Sequence, residues 1–267
     1  MTSIRHLALE AIQERDPFKK VELTRQIRGS NAPLNTSVFI SEPCGLPGRP
    51  STPELVPYTK IKQFSMVTPQ GKAALVHSIA HIELNAIDLA LDIIWRFDGM
   101  PDEFYYDWLK VAEEEALHFT LLRDHLVVLG FDYGSFLAHN ALWEMAEKTK
   151  ADILARLGLV PRTLEARGLD ATPAVKRKLI SGGDSVGAAI FDIILRDEIG
   201  HVAIGNRWYR WVCKKRDLDP IINYADLVTK YEAQQPRKPF NMEARRLAGF
   251  EEAELDALIE NDQKSHY

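Results

Sequence analysis

Polar and apolar positions are mixed at the start of the chain and settle into long helical stripes only later. Residues 1–30 set Leu7, Ile12 and Val21 among many charges, which predicts a helical arm. Residues 31–57 carry Pro33, Pro43, Pro47, Pro50, Pro53 and Pro57, with Gly45 and Gly48. Proline removes an amide donor and clashes with the preceding turn, so no long helix survives that density. This segment is expected to lie extended over the domain surface. Thr68-Pro69 then marks a helix start, with Thr68 as N-cap and Pro69 in the first turn.

From Pro69 to Phe97 the apolar period is that of a helix. Val76, Ile79, Ala80, Glu83, Ala86, Ile87, Ala90 and Ile94 form one stripe, and Glu83 is its only charge. His81, Asp88 and Asp92 fall on roughly the opposite face. His81 is therefore expected at the surface or in a supporting role. Asp98-Gly99-Met100-Pro101 predicts a turn. The next helix carries Trp108, Val111, Ala112, Glu115, His118, Phe119, Leu122 and Leu126 on one stripe and stops near Gly130. Leu137 to Leu157 has a helical pattern, which Pro161–Gly168 continues or restarts. Gly168 to Pro173 is expected to interrupt it, with Pro173–Ile180 as a short extra helix. Ser181-Gly182-Gly183 is a break, after which Asp184 caps a last long helix running toward Lys215. Its stripe is Phe191, Ile194, Leu195, Glu198, His201, Val202, Gly205 and Trp208.

The polar exceptions on these stripes carry the candidate chemistry. Glu115-Ala-Leu-His118 and Glu198-Ile-Gly-His201 each place a carboxylate and an imidazole three residues apart, on one helix face. An apolar core should exclude both groups unless a partner compensates them, and a metal ion is such a partner. A helix-bundle di-metal site needs two Glu-x-x-His pairs and one further Glu from each of two other helices. Glu83 lies 15 residues before Asp98, and Glu115 lies 14 after Pro101. Across an antiparallel turn both stand roughly 22 Å from the turn, at the same height. The fourth carboxylate has two candidates. Glu165 neighbours Leu154, Leu157, Leu164 and Leu169, whereas Glu144 shares a face with Asn140, Glu147 and Lys148. Spacing favours Glu165: 115 − 83 is 32 and 198 − 165 is 33, as in a duplicated helix pair.

Composition narrows the class. The chain has 267 residues, 46% hydrophobic and 27% charged, with a net charge of −5, as in a globular protein rather than a nucleic-acid coat. No apolar run approaches ~18 residues, so no membrane span is expected. Met1–Lys20 lacks the apolar stretch of a signal peptide, and two cysteines without a C-x-x-C make no disulfide framework. A cytoplasmic location is the resulting expectation. Basic runs at Lys176–Lys178, Lys214–Arg216, Arg237-Lys238 and Arg245-Arg246 suit an RNA partner if gathered on one face, and suit helix C-termini otherwise. The expected domains are an arm and extended segment over 1–67, a bundle over 68–216 and a C-terminal extension over 217–267.

The segments His81–Ala90, Glu115–Phe119, Leu164–Pro173, Arg196–Ala203 and Pro239-Phe-Asn241 resemble an uncharacterised ferritin-like family, known as a domain of unknown function, within the di-iron carboxylate superfamily. The superfamily also holds the hydroxylases of isopentenyl-adenosine in tRNA, and the rubrerythrins. The resemblance implies an all-α, ferritin-like four-helix bundle and a metal site built from Glu83, Glu115, His118, Glu165, Glu198 and His201. Such a set would hold two ions, with Glu115 and Glu198 bridging. Carboxylate and imidazole donors suit iron, with manganese or zinc as substitutes. The function this implies is an oxygen-dependent oxidoreductase or hydroxylase of unknown organic substrate, with tRNA as one version of that substrate and no membrane partner. Iron handling or peroxide reduction is a second reading, against which stands the absence of rubredoxin-type cysteine pairs. A non-enzymatic bundle holding a structural metal is a third. A homodimer is compatible with all three.

Overall fold

A computed structural model describes residues 2–62 and 64–264. Among them the chain is all-α: they contain no strand, and the one isolated β-bridge joins Leu55 to Ala138. Two compact units are present. The first comprises Met1–Trp143 with Leu179–Ile190, and the second Glu144–Lys178 with Phe191–Tyr267.

The first unit is built on α3 (Pro69–Arg96) and α4 (Asp102–Val128), a long helical hairpin. Thr68 caps α3 by accepting from the Gly71 amide at 3.0 Å, with Pro69 in the first turn. Gly99 turns the chain between the helices at φ +68°, a left-handed conformation that glycine adopts without a Cβ clash. Asp102 and Glu103 then face the positive end of α4. Val76, Ala80, Ile87, Ala90 and Ile94 on α3 are buried, as are Trp108, Val111, Phe119 and Leu122 on α4. One window of α3 is apolar and long enough to cross a membrane, but 72% of it is buried within the protein, as in a core helix.

The arm is two helices, α1 (Ile4–Gln13) and α2 (Pro17–Ile27), which pack on α3 and α4 respectively. Residues 31–57 run extended, as their prolines require. The arm explains a departure from the sequence expectation. His81, Asp88 and Asp92, expected on an outward face, are all buried. Lys20 of α2 forms a buried ion pair with Asp88 and donates to the Gly48 carbonyl at 3.0 Å. Arg96 pairs with Asp92 at 2.9 Å. Arg5 of α1 donates to the Ile94 carbonyl at 3.3 Å and the Trp95 carbonyl at 2.7 Å, at the end of α3 where carbonyls lack helical partners. Burial pushes the Asp88 carboxyl upward against the opposing pull of Lys20. Removing one partner of such a pair strands a buried charge. Lys20→Met should therefore destabilise the protein by about 3–5 kcal/mol in urea unfolding at neutral pH. A loss under about 1 kcal/mol would contradict the pairing.

The second unit holds most of α5 (Ala141–Thr149), α6 (Ile153–Leu159), a π-helical turn (Val160–Glu165) and most of α7 (Ala166–Ser181). It continues through α8 (Ser185–Lys215), whose first residues to Ile190 belong to the first unit, and then α9 (Pro220–Lys230), α10 (Met242–Leu247) and α11 (Glu252–Lys264). The single helix expected over Leu137–Leu157 is two, divided at 150–152, where Asp152 caps α6 by accepting from the Leu154 amide at 3.0 Å. The expected interruption between Gly168 and Pro173 does not occur: α7 runs through Pro173. Pro173 denies the Leu169 carbonyl its amide partner. The side-chain amide of Asn241 supplies a donor to that carbonyl at 3.2 Å, and the Asn241 backbone amide is held by Asp170 at 2.8 Å. A segment about seventy residues downstream thus offsets the helix-breaking effect of the proline.

Candidate metal centre

Glu83, Glu115 and His118 meet in the first unit. The hairpin register does this as the residue count predicts: Glu83 of α3 stands level with the first Glu-x-x-His pair of α4. His118 Nδ1 lies 3.1 Å from Glu83 Oε2 and 3.4 Å from Glu115 Oε2. All three are buried, with Glu115 and His118 at 0% exposure. Each offers a ligand atom within 4.8 Å of the others, a buried acid–imidazole group able to hold a metal ion. The donor set fits the ion that the superfamily resemblance implies: hard carboxylates and one borderline imidazole, enclosed by apolar side chains.

The electrostatics of the group are those of a site short of positive charge. Burial, and then the neighbouring charge of Glu115, push the Glu83 carboxyl up to about 8. Burial alone would lower the His118 imidazolium, but its hydrogen bonds to Glu115 and Glu83 overcome that and raise it to about 11. Protons do here what a cation would do better, since each neutralises one charge at one atom.

The second Glu-x-x-His pair lies on α8 in the second unit. Glu198 and His201 are buried, with His201 Nδ1 3.5 Å from Glu198 Oε1. Glu165 ends the π-helical turn and is half-buried, whereas Glu144 is exposed. The π turn and α8 approach closely where Gly205 meets Pro161: a Cβ on Gly205 would stand 2.6 Å from the Pro161 Cβ. Glu165 is one turn beyond Pro161, and His201 one turn before Gly205. Gly158, three residues before Pro161, lies against Tyr209, four residues after Gly205, so the two segments run antiparallel and Glu165 lies toward His201 along them.

Of the two places the sequence left open for His81, surface or support, the structure gives the second, with partners the sequence did not indicate. His81 donates through Nε2 to the His139 carbonyl at 2.9 Å and accepts the Tyr133 hydroxyl on Nδ1 at 2.7 Å. Burial holds its imidazole down near 4, so it stays neutral. His77 accepts the Gly134 amide at 3.0 Å and stacks on Tyr133. The two histidines, one turn apart, thus orient the 133–139 loop. Tyr133 also meets the edge of Phe119, which follows His118. The trace of this in the sequence is the one-turn spacing of His77 and His81.

Comparison with known proteins places the chain. Residues 13–256 match the family described as "Protein of unknown function (DUF455)". The chain belongs to this family. It is similar to an uncharacterized protein of Haemophilus influenzae, 48% identical over 221 residues, covering 80% of this chain and 77% of that protein. No solved structure matches the chain.

Proposed function

We propose that this family member is a di-iron carboxylate protein of ferritin-like type, acting as an oxygen-dependent oxidoreductase on an organic substrate. The observation that carries the reading is the buried Glu83–Glu115–His118 group. In this reading Glu165, Glu198 and His201 supply the matching half of a six-ligand set. Support for that half comes from the repeated Glu-x-x-His motif and the 32- and 33-residue spacings. These residues would hold a pair of ferrous ions, and the chemistry such a pair would supply is two electrons for oxygen. The residues do the rest. Glu83 and Glu115, once their protons have left, would supply negative charge at buried positions, 4% and 0% exposed, from which water is kept out. His118 would give up the Nδ1 proton it shares with Glu83 and Glu115 and act as a neutral donor beside their carboxylates.

Loading the protein anaerobically with ferrous iron and then admitting oxygen tests the reading. Uptake should be fast and stop after about one oxygen per pair of irons. Continued oxidation of many irons per chain would assign it to iron handling instead.

A further inference from the structure

A cleft of about 310 Å³ opens between α9 and α11, entirely within the second unit. Ile221, Tyr224, Ala225 and Val228 wall it from α9, a 3-4-7 spacing that is a single helix face. Ala257, Leu258 and Asn261 wall it from α11 with the same periodicity. Val228 is buried at the base of this face, Tyr224, Ala257 and Leu258 are half-buried, and Ile221, Ala225 and Asn261 are exposed at the rim, so the cleft is open to a ligand from solvent.

The floor is aromatic. The buried Arg162 guanidinium lies 4.9 Å from the Tyr209 ring, 5.2 Å from Tyr224 and 4.9 Å from Phe250. Phe250 is braced by the core cluster of Ala166, Leu169, Val202, Ala244 and Ala248. The Tyr224 hydroxyl is tied to Thr163 Oγ1 at 2.8 Å, which orients its ring. The charges lining the cleft are already paired. Arg162 holds Glu254 at 2.6 Å, Arg210 holds the same carboxylate at 2.5 Å, and Arg245 holds Asp170 at 2.6 Å. A charged ligand would have to compete with these pairs, and a planar ring would not. Tyr224 and Phe250 line the cleft beside the guanidinium groups of Arg162 and Arg245, which lie over their rings, and together they make a lining of planar groups suited to such a ring.

We propose that this cleft binds a neutral, planar aromatic small molecule of one or two rings. The inference stands apart from the metal reading, since it uses none of the six candidate ligands.

Titration of the full chain with indole, cyclohexanol and benzoate, followed by calorimetry, tests it. Indole should bind saturably, one per chain, and at least tenfold more tightly than either of the others. Ala257→Phe fills the cleft from α11 and should abolish that binding. Tyr224→Leu removes an aromatic wall from α9 and should weaken it at least tenfold. The substitutions lie on different helices, and circular dichroism identifies which variant is folded, so either one serves alone. Absence of saturable indole binding, benzoate binding as tightly as indole, or undiminished binding in the folded variants would overturn the proposal.

Discussion

Glu115→Ala abolishes metal uptake and leaves the metal-free fold in place. Glu115 is fully buried, and its carboxylate lies 3.4 Å from the His118 Nδ1 that also meets Glu83 at 3.1 Å. Its removal leaves the group a single carboxyl, Glu83, and deletes the ligand proposed to bridge two ions. In the wild type, metal at a hundredfold excess over its Kd stabilises the fold by about 2.7 kcal/mol, or roughly 5–10 °C in Tm for a protein of this size. The variant should gain nothing from metal. Truncating a buried acid opens a small void, but it also removes a desolvated charge, so the metal-free Tm should change little. Thermal melts of both proteins, with and without iron under anaerobic conditions, check this. An unchanged metal-dependent shift in the variant would contradict it.

Metal affinity rises about a hundredfold for each pH unit between 6 and 8. The sign follows from the two raised groups. Glu83, at about 8, and His118, at about 11, each hold a proton through that range, and ligation requires both protons to leave. Above 8 Glu83 has already ionised, and the slope falls to about tenfold per unit. A carboxylate and a histidine at their ordinary values, 4.5 and 6.5, would give almost no slope above pH 7. The metal-free fold responds in the opposite direction. A raised carboxyl costs stability as pH climbs from 4.5 to 8. The raised imidazolium contributes stability that is complete below 6.5 and lost as pH rises through 11. The metal-free protein therefore weakens toward alkaline pH while its affinity for metal strengthens. Calorimetry in buffers of differing ionisation enthalpy counts the protons directly. About two should be released at pH 7 as metal enters the group; none would contradict the assignment.

The long helices were legible because their information is local. The 3.6-residue period marks α3 and α4, and counting outward from Asp98 and Pro101 is enough to bring Glu83 level with Glu115. What could not be read depended on distant partners. Nothing around Asp88 reveals that Lys20, sixty-eight residues earlier, will cover it, so its face passed for an outer one. Nothing around Pro173 reveals the Asn241 amide that lets α7 continue. The π-helical turn that carries Glu165 has no periodic signature of its own. The burial of the two candidate carboxylates was legible from their neighbours in sequence: Glu165, among leucines, is half-buried, and Glu144, among polar residues, is exposed.

The most direct test of the central claim is the iron content of the anaerobically loaded protein, measured for the wild type and for Glu198→Ala. A di-metal centre built from both Glu-x-x-His pairs predicts about two irons per chain in the wild type and fewer than about one in the variant. A wild-type protein that retains no iron, or a content that Glu198→Ala leaves unchanged, would contradict it.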